Sequence, residues 1–140
     1  MSMAEIARTR ASVRFFGEEL EPAEVSQLLG SSPTTQERRG DVLRSGHVLK
    51  RGSWRLTSGD LELGDLEGQI GSLLAGLTQD LLIWRDLTSR YQADIFCGLF
   101  MDFFNEGLEL SAPVLTMLGE RGLRVGFDIY APDRQEQELH

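Results

Sequence analysis

Apolar and polar residues alternate along Ala11-Ser12-Val13-Arg14-Phe15-Phe16, with Ala11, Val13 and Phe15 on one face and Ser12 and Arg14 on the other. That period of two predicts a strand buried on one side. Glu21-Pro22-Ala23-Glu24 opens a helix, because proline sits in a first turn without losing a hydrogen bond and acids there complement the helix dipole. Val25, Leu28 and Leu29 form its apolar stripe, and Gly30 is its stop. A polar, turn-rich stretch follows at 31–37, and a second strand is expected over His47–Thr57 with an interruption at Arg51-Gly52.

Between Asp65 and Tyr91 the period changes: Leu66, Ile70, Leu73, Leu74, Leu77, Leu81, Trp84 and Leu87 follow one another in steps dominated by three and four. This predicts one long amphipathic helix. Gly68, Gly71 and Gly76 each weaken it by about 1 kcal/mol relative to alanine, so tertiary packing must hold it. Ala93–Met101 reads as a strand in which Asp94 shares a face with Phe96, and Ala112–Leu118 as a short helix. In a last strand, Leu123–Tyr130, Val125, Phe127 and Ile129 point one way and Arg124, Asp128 and Tyr130 the other. On this pattern Leu77 and Phe127 are core residues.

Phe15-Phe16-Gly17-Glu18-Glu19-Leu20-Glu21 can be laid on Phe103-Phe104-Asn105-Glu106-Gly107-Leu108-Glu109, which suggests two related β-α-β halves around the long central helix. Short connections and half-polar strands predict an α+β single domain with three main helices, its sheet mostly antiparallel and its helices packed on one face. The expected boundaries are an N-terminal arm over 1–10, the domain over 11–131 and a polar tail over 132–140.

Composition agrees with this picture: 140 residues, 41% hydrophobic and 26% charged, are enough to build a core without disulfides or a structural metal. The single cysteine, Cys97, has no partner for an internal disulfide, and with two histidines it makes a poor zinc ligand set, so no metal and no cofactor are expected. Met1–Arg10 lacks a signal-peptide core, and the most apolar window, Leu66–Leu87, is broken by Glu67, Asp80, Arg85 and Asp86. No membrane span and a cytoplasmic location are expected.

Several strings together carry a resemblance: Ala11-Ser12-Val13-Arg14-Phe15-Phe16-Gly17, Leu20-Glu21-Pro22, Gly52-Ser53-Trp54, Ala93-Asp94-Ile95-Phe96-Cys97-Gly98 and Gly126-Phe127-Asp128-Ile129-Tyr130. In this order, over about residues 11–131, the chain is similar to a bacterial family of domains of unknown function, number 4279. The resemblance implies a small, bacterial, intracellular single-domain protein and brings no activity with it. Small acidic bacterial domains of this kind often serve as immunity proteins, an association with a class.

The strong catalytic signatures are absent: no phosphate-cradling glycine loop, no Gly-x-Ser-x-Gly, no His-Glu-x-x-His and no Cys-x-x-Cys. Cys97 would need a base such as His47 to become a nucleophile, and between Phe96 and Gly98 in a strand it reads as core. Asp94 and Asp128 lie in late strands and would make an acid–base or cation-binding pair if neighbouring strands brought them together; otherwise they partner Arg14, Arg55 or Arg124. Trp54 suits stacking on a ligand, although a lone tryptophan in a small domain more often fills the core. No catalytic residue is assigned, and Trp54, Arg55, Asp94, Asp128 and Tyr130 are the candidates for binding a ligand or partner.

Charge is the best functional lead. The chain carries -8 overall, yet 38–55 hold Arg38, Arg39, Arg44, Lys50, Arg51 and Arg55 against Asp41 alone, a local +5, leaving -13 on the remainder. Such polarity steers charged partners. The net charge of -8 argues against a general affinity for nucleic acid; the basic segment leaves a local contact open, but no recognition motif or aromatic interleaving accompanies it. The expected function is non-enzymatic binding, of the immunity-inhibitor type, with the acidic surface covering a basic site on a partner protein. The alternative is a small-molecule-binding domain or enzyme that gathers Asp94, Asp128, Tyr130 and Trp54 into one pocket. Sheet edges also admit a second copy of the chain.

Overall fold

The computed structural model describes residues 5–61 and 63–132. Strand β1 (Arg8–Gly17) leads to helix α1 (Pro22–Leu29), short strand β2 (Thr35–Glu37) and strand β3 (Gly52–Thr57). Helices α2 (Leu66–Ala75) and α3 (Leu81–Arg90) follow, then strand β4 (Gln92–Phe100), helix α4 (Ala112–Glu120) and strand β5 (Arg124–Tyr130). The strands form one sheet in the order β2-β3-β1-β4-β5, antiparallel except for the β4–β5 pair. The domain is therefore α+β with a mostly antiparallel sheet, as the patterning implies. Strand β1 begins inside the stretch assigned to the arm, and the neighbouring Ile6 is buried. The polar tail, from Asp133 onward, lies outside the described residues.

The helices lie against one face. From β1 come Ala11, Val13 and Phe15, from β3 Trp54, and from β4 Ala93, Ile95, Cys97 and Leu99, all buried with Val25, Leu29, Ile70, Leu74, Trp84, Leu87 and Leu118 of the helices. Phe15 is the hub, its ring 6.0 Å from Trp54 and 6.1 Å from Trp84. Each helix start follows local chemistry: Pro22 opens α1, while the side chains of Asp65, Asp80 and Ser111 accept N–H groups of the first turns of α2, α3 and α4. Gly30 closes α1 with φ 76°, the left-handed conformation glycine adopts without strain.

Two expectations change. The long central helix is two helices, so the described residues form four helices, not three. The chain leaves α2 at Gly76 and restarts at the Asp80 cap, and Gln79 Nε2 donates to the carbonyls of Leu74 and Leu77, satisfying the freed backbone. Apolar residues continue in phase across this break, which hides it from periodicity. The two halves share a layout only: β1 and β4 are antiparallel neighbours at the centre, each followed by a helix and a strand running parallel to it, but β3 lies between β1 and β2. Phe15 and Phe16 belong to β1, whereas Phe103 and Phe104 lie in an exposed loop beyond β4.

Phe127 is a third correction. It points to the helix side as expected, but β5 is an edge strand and leaves Phe127 46% exposed, against 4% for Leu77. Leu77→Ala is expected to destabilise the protein by roughly 2–5 kcal/mol and Phe127→Ala by less than about 1.5 kcal/mol, compared by urea denaturation. Equal losses at low protein concentration would show that Phe127 is packed as deeply as Leu77 within the single chain.

Candidate functional site

With every helix on one side, the other face of the sheet is open, and its side chains can be read in rows across the strands. In one row Arg55 of β3, Arg14 of β1, Asp94 of β4 and Arg124 of β5 stand in register. Three arginines there meet one carboxylate. Arg14 takes it, donating from Nε and Nη2 to the two Asp94 oxygens at 2.8 and 2.7 Å. Arg55 and Arg124 make no ion pair among the described residues. The next row, Thr57, Ser12, Phe96 and Gly126, is small except for the phenylalanine, and the Ser12 and Thr57 hydroxyls hydrogen-bond at 2.9 Å.

Aromatic rings rise between the arginines. The Arg14 guanidinium lies 4.0 Å from the Phe96 ring centroid and 5.1 Å from that of Phe16, which Arg51 also approaches at 4.7 Å. Further along, Arg8 lies over Phe100, and Phe100 stacks on Tyr130 with centroids 4.7 Å apart. Such cation–π contacts draw the guanidiniums onto the ring faces at the surface. A shallow cleft of about 120 Å³ opens in this face, lined by Arg10, Ser12, Arg55, Thr57, Phe96 and Tyr130 among others. Arg10 is held by Asp60 through a two-point contact at 2.6 and 2.7 Å, which lowers the Asp60 carboxyl below its ordinary range, so Arg55 is the cleft's free cation.

The basic segment is continuous with this face. Between β2 and β3 the chain forms a hairpin-like arm, closed by Gly40 N–H to Leu49 O, Leu49 N–H to Asp41 O and Leu43 N–H to His47 O. Gly40 and Gly46 turn it with φ of 94° and 86°. Arg38, Arg44, Lys50 and Arg51 are exposed on it, as are the apolar Val42, Leu43 and Val48. Arg51, over Phe16, joins the arm to the sheet face.

Among the five sequence candidates, Arg55, Asp94, Asp128 and Tyr130 all face the open side. Trp54 does not: it is buried on the helix side, its Nε1 donating to Ser26 Oγ at 3.0 Å. Asp94 and Asp128 share a face but not a site, because Asp128 stands opposite Gly98, four residues or about 13 Å along β4 from Asp94. Each carboxylate also has a partner, Arg14 for Asp94 and the Tyr130 hydroxyl at 2.7 Å for Asp128, which raises the tyrosine's pKa. Of the four residues of the alternative enzyme reading, Asp128 and Tyr130 meet, while Asp94 stands apart from them and Trp54 lies on the other face. Sequence reasoning missed Arg10, Arg14, Phe16, Phe96 and the arm as one surface; the polar half of the β1 alternation was the available signal.

Two other places hold chemistry of a structural kind. A larger cavity of about 360 Å³ is lined by Glu5, Thr9, Asp65, Glu67 and Glu109 among others, but Asp65 caps α2 and Glu67 accepts the Ser111 N–H at the start of α4. No group of three or more His, Cys, Asp or Glu side chains among the described residues is placed to hold a metal. Cys97 is buried on the helix side, and burial first, then the Asp94 charge, pushes its thiol up to about 12, while His47 lies exposed on the arm. The expected result is that iodoacetamide leaves Cys97 unmodified in the native protein at pH 8 and alkylates it in urea; modification at equal rates would contradict its burial.

An α+β domain with helices on one side of its sheet and an arginine- and aromatic-bearing open face on the other is thus the class that the geometry defines. The chain belongs to the family described as "Domain of unknown function (DUF4279)", whose model matches residues 7–132. No curated protein matches the chain. No solved structure matches it either. Among the described residues no helix is long and apolar enough to cross a membrane.

Proposed function

We propose that this protein is a non-enzymatic binding domain that docks an acidic partner protein on the open face of its sheet and on the adjoining arm. One observation carries the reading: Arg55, Arg14 and Arg124 stand in a single row with only Asp94 among them, on a face continuous with the basic arm. Strand residues carry five arginines against three acids, whereas the helices and their caps carry seven acids against three arginines, so the molecule is polarised front to back. A carboxylate presented beside an apolar side chain fits the cleft, where Arg55 supplies the charge and Phe96 and Tyr130 the walls. Nucleic-acid bases find less, since the Phe16, Phe96 and Phe100 ring faces already meet guanidiniums or another ring. The setting for this reading is the bacterial cytoplasm, in keeping with an unpaired cysteine.

The acidic helix layer favours a second reading, an immunity-type inhibitor covering a basic site on its partner. The two are separated by fluorescence anisotropy with labelled peptides of equal length, one of Asp, Glu and Phe, the other of Lys, Arg and Phe. The expected result is salt-sensitive binding of the acidic peptide, weakened roughly tenfold or more by Arg55→Glu. Binding of the basic peptide alone, or no binding of either, would overturn the open-face reading.

A further inference from the structure

Strand β5 is one edge of the sheet, and among the described residues nothing pairs with its outer side. Edges left this way invite a second strand. The sequence of β5, Arg124-Val125-Gly126-Phe127-Asp128, is complementary to itself when reversed about Gly126. In an antiparallel pair, directly opposite residues share a face and their side chains touch. A register centred on Gly126 therefore sets Arg124 opposite Asp128 of a second copy, twice by symmetry, and Val125 opposite Phe127. Moving the centre one residue either way sets Arg124 against Tyr130 or Gly126 and loses both charge pairs. Moving it half a residue puts open-face side chains opposite helix-side ones, which the alternation forbids.

The groups that would meet are those the single chain leaves unfinished. Arg124 makes no ion pair among the described residues, and Asp128 accepts only the Tyr130 hydroxyl. Phe127 is 46% and Ile129 60% exposed on the helix side of this edge. At the centre, a Cβ on Gly126 would meet only a Phe96 ring carbon, at 3.5 Å, an ordinary contact. We infer that two copies of this chain pair β5 to β5, antiparallel and centred on Gly126, joining their five-stranded sheets into one continuous sheet. Both open faces then lie on the same side. The inference shares Arg124 with the partner reading above, but it rests on the self-complementary edge and not on Arg55 or Arg14.

The test is a charge swap followed by light scattering, with circular dichroism to confirm that each variant is folded. Wild type is expected at about twice the 15.7 kDa chain mass. Arg124→Asp and Asp128→Arg, each setting like charges opposite one another twice, are expected to weaken association roughly tenfold or more, and the double variant to restore it. Gly126→Cys is expected to cross-link between copies on oxidation, since opposite antiparallel Cα atoms lie about 4.5–5.5 Å apart, and Tyr130→Cys not to. A wild type that stays monomeric to roughly 100 µM, a dimer indifferent to the single reversals, or a Gly126→Cys variant that does not cross-link would each overturn it.

Discussion

Gly52→Val is expected to lower stability by roughly 3 kcal/mol or more, the severe end of overpacking. Gly52 and Gly17 stand opposite each other where β3 and β1 meet the chain crossing the end of the sheet. A Cβ on Gly52 would sit 2.2 Å from the Leu20 carbonyl oxygen, and one on Gly17 2.6 Å from the Tyr91 ring. The Leu20 obstacle is backbone, so it yields only if the entry to α1 moves, and Leu20 is itself buried. Gly17→Ala meets a ring that can turn and is expected to cost less. Urea denaturation of both variants checks this, and a Gly52→Val midpoint close to that of wild type would show that Leu20 does not cross there.

Phe15→Ala is the second large effect, expected at about 3–5 kcal/mol. Its ring is fully buried between two indoles, edge-on to Trp54 and tilted to Trp84, so truncation opens a cavity that two rigid ring systems cannot close. Trp54 and Trp84 are also fixed by their N–H groups, which donate to Ser26 Oγ and the Thr78 carbonyl at 3.0 and 2.7 Å. A melting temperature lower by about 10–20 °C is the expected reading, and Phe15→Leu is expected to recover most of it. A loss under about 1 kcal/mol would place the centre of the core elsewhere.

How much of this was legible in the sequence depends on whether the cause was local. The alternation of β1, β4 and β5, the proline opening of α1 and its glycine stop are local, and all are found in the fold. The early start of β1 was masked because Thr9, a polar residue, is buried on the apolar face; its hydroxyl donates to Gln69 Oε1 at 2.7 Å, and Gln69 Nε2 donates back to the Thr9 carbonyl. The α2–α3 break was masked because its turn keeps Leu77 in phase. Phe127 faces as its alternation says, yet its exposure follows from strand order, which periodicity does not contain. For the candidate site the limit is similar. The +5 segment was visible as a count, but Arg14, Arg55, Asp94 and Arg124 come from four strands whose register is set only by the sheet. Trp54 lies on the other face, in the core, which is the commoner place for a lone tryptophan in a small domain.

The central claim is that the open face and the arm form the binding surface. The most direct measurement is a map of backbone amide shifts on titration with the acidic peptide of Asp, Glu and Phe. The account predicts shifts at Arg14, Arg55, Phe96 and Gly98 and along the arm from Val42 to Val48, fading with added salt and absent in Arg55→Glu. Shifts gathered on α1 and α3 instead, with the open face silent, would contradict it.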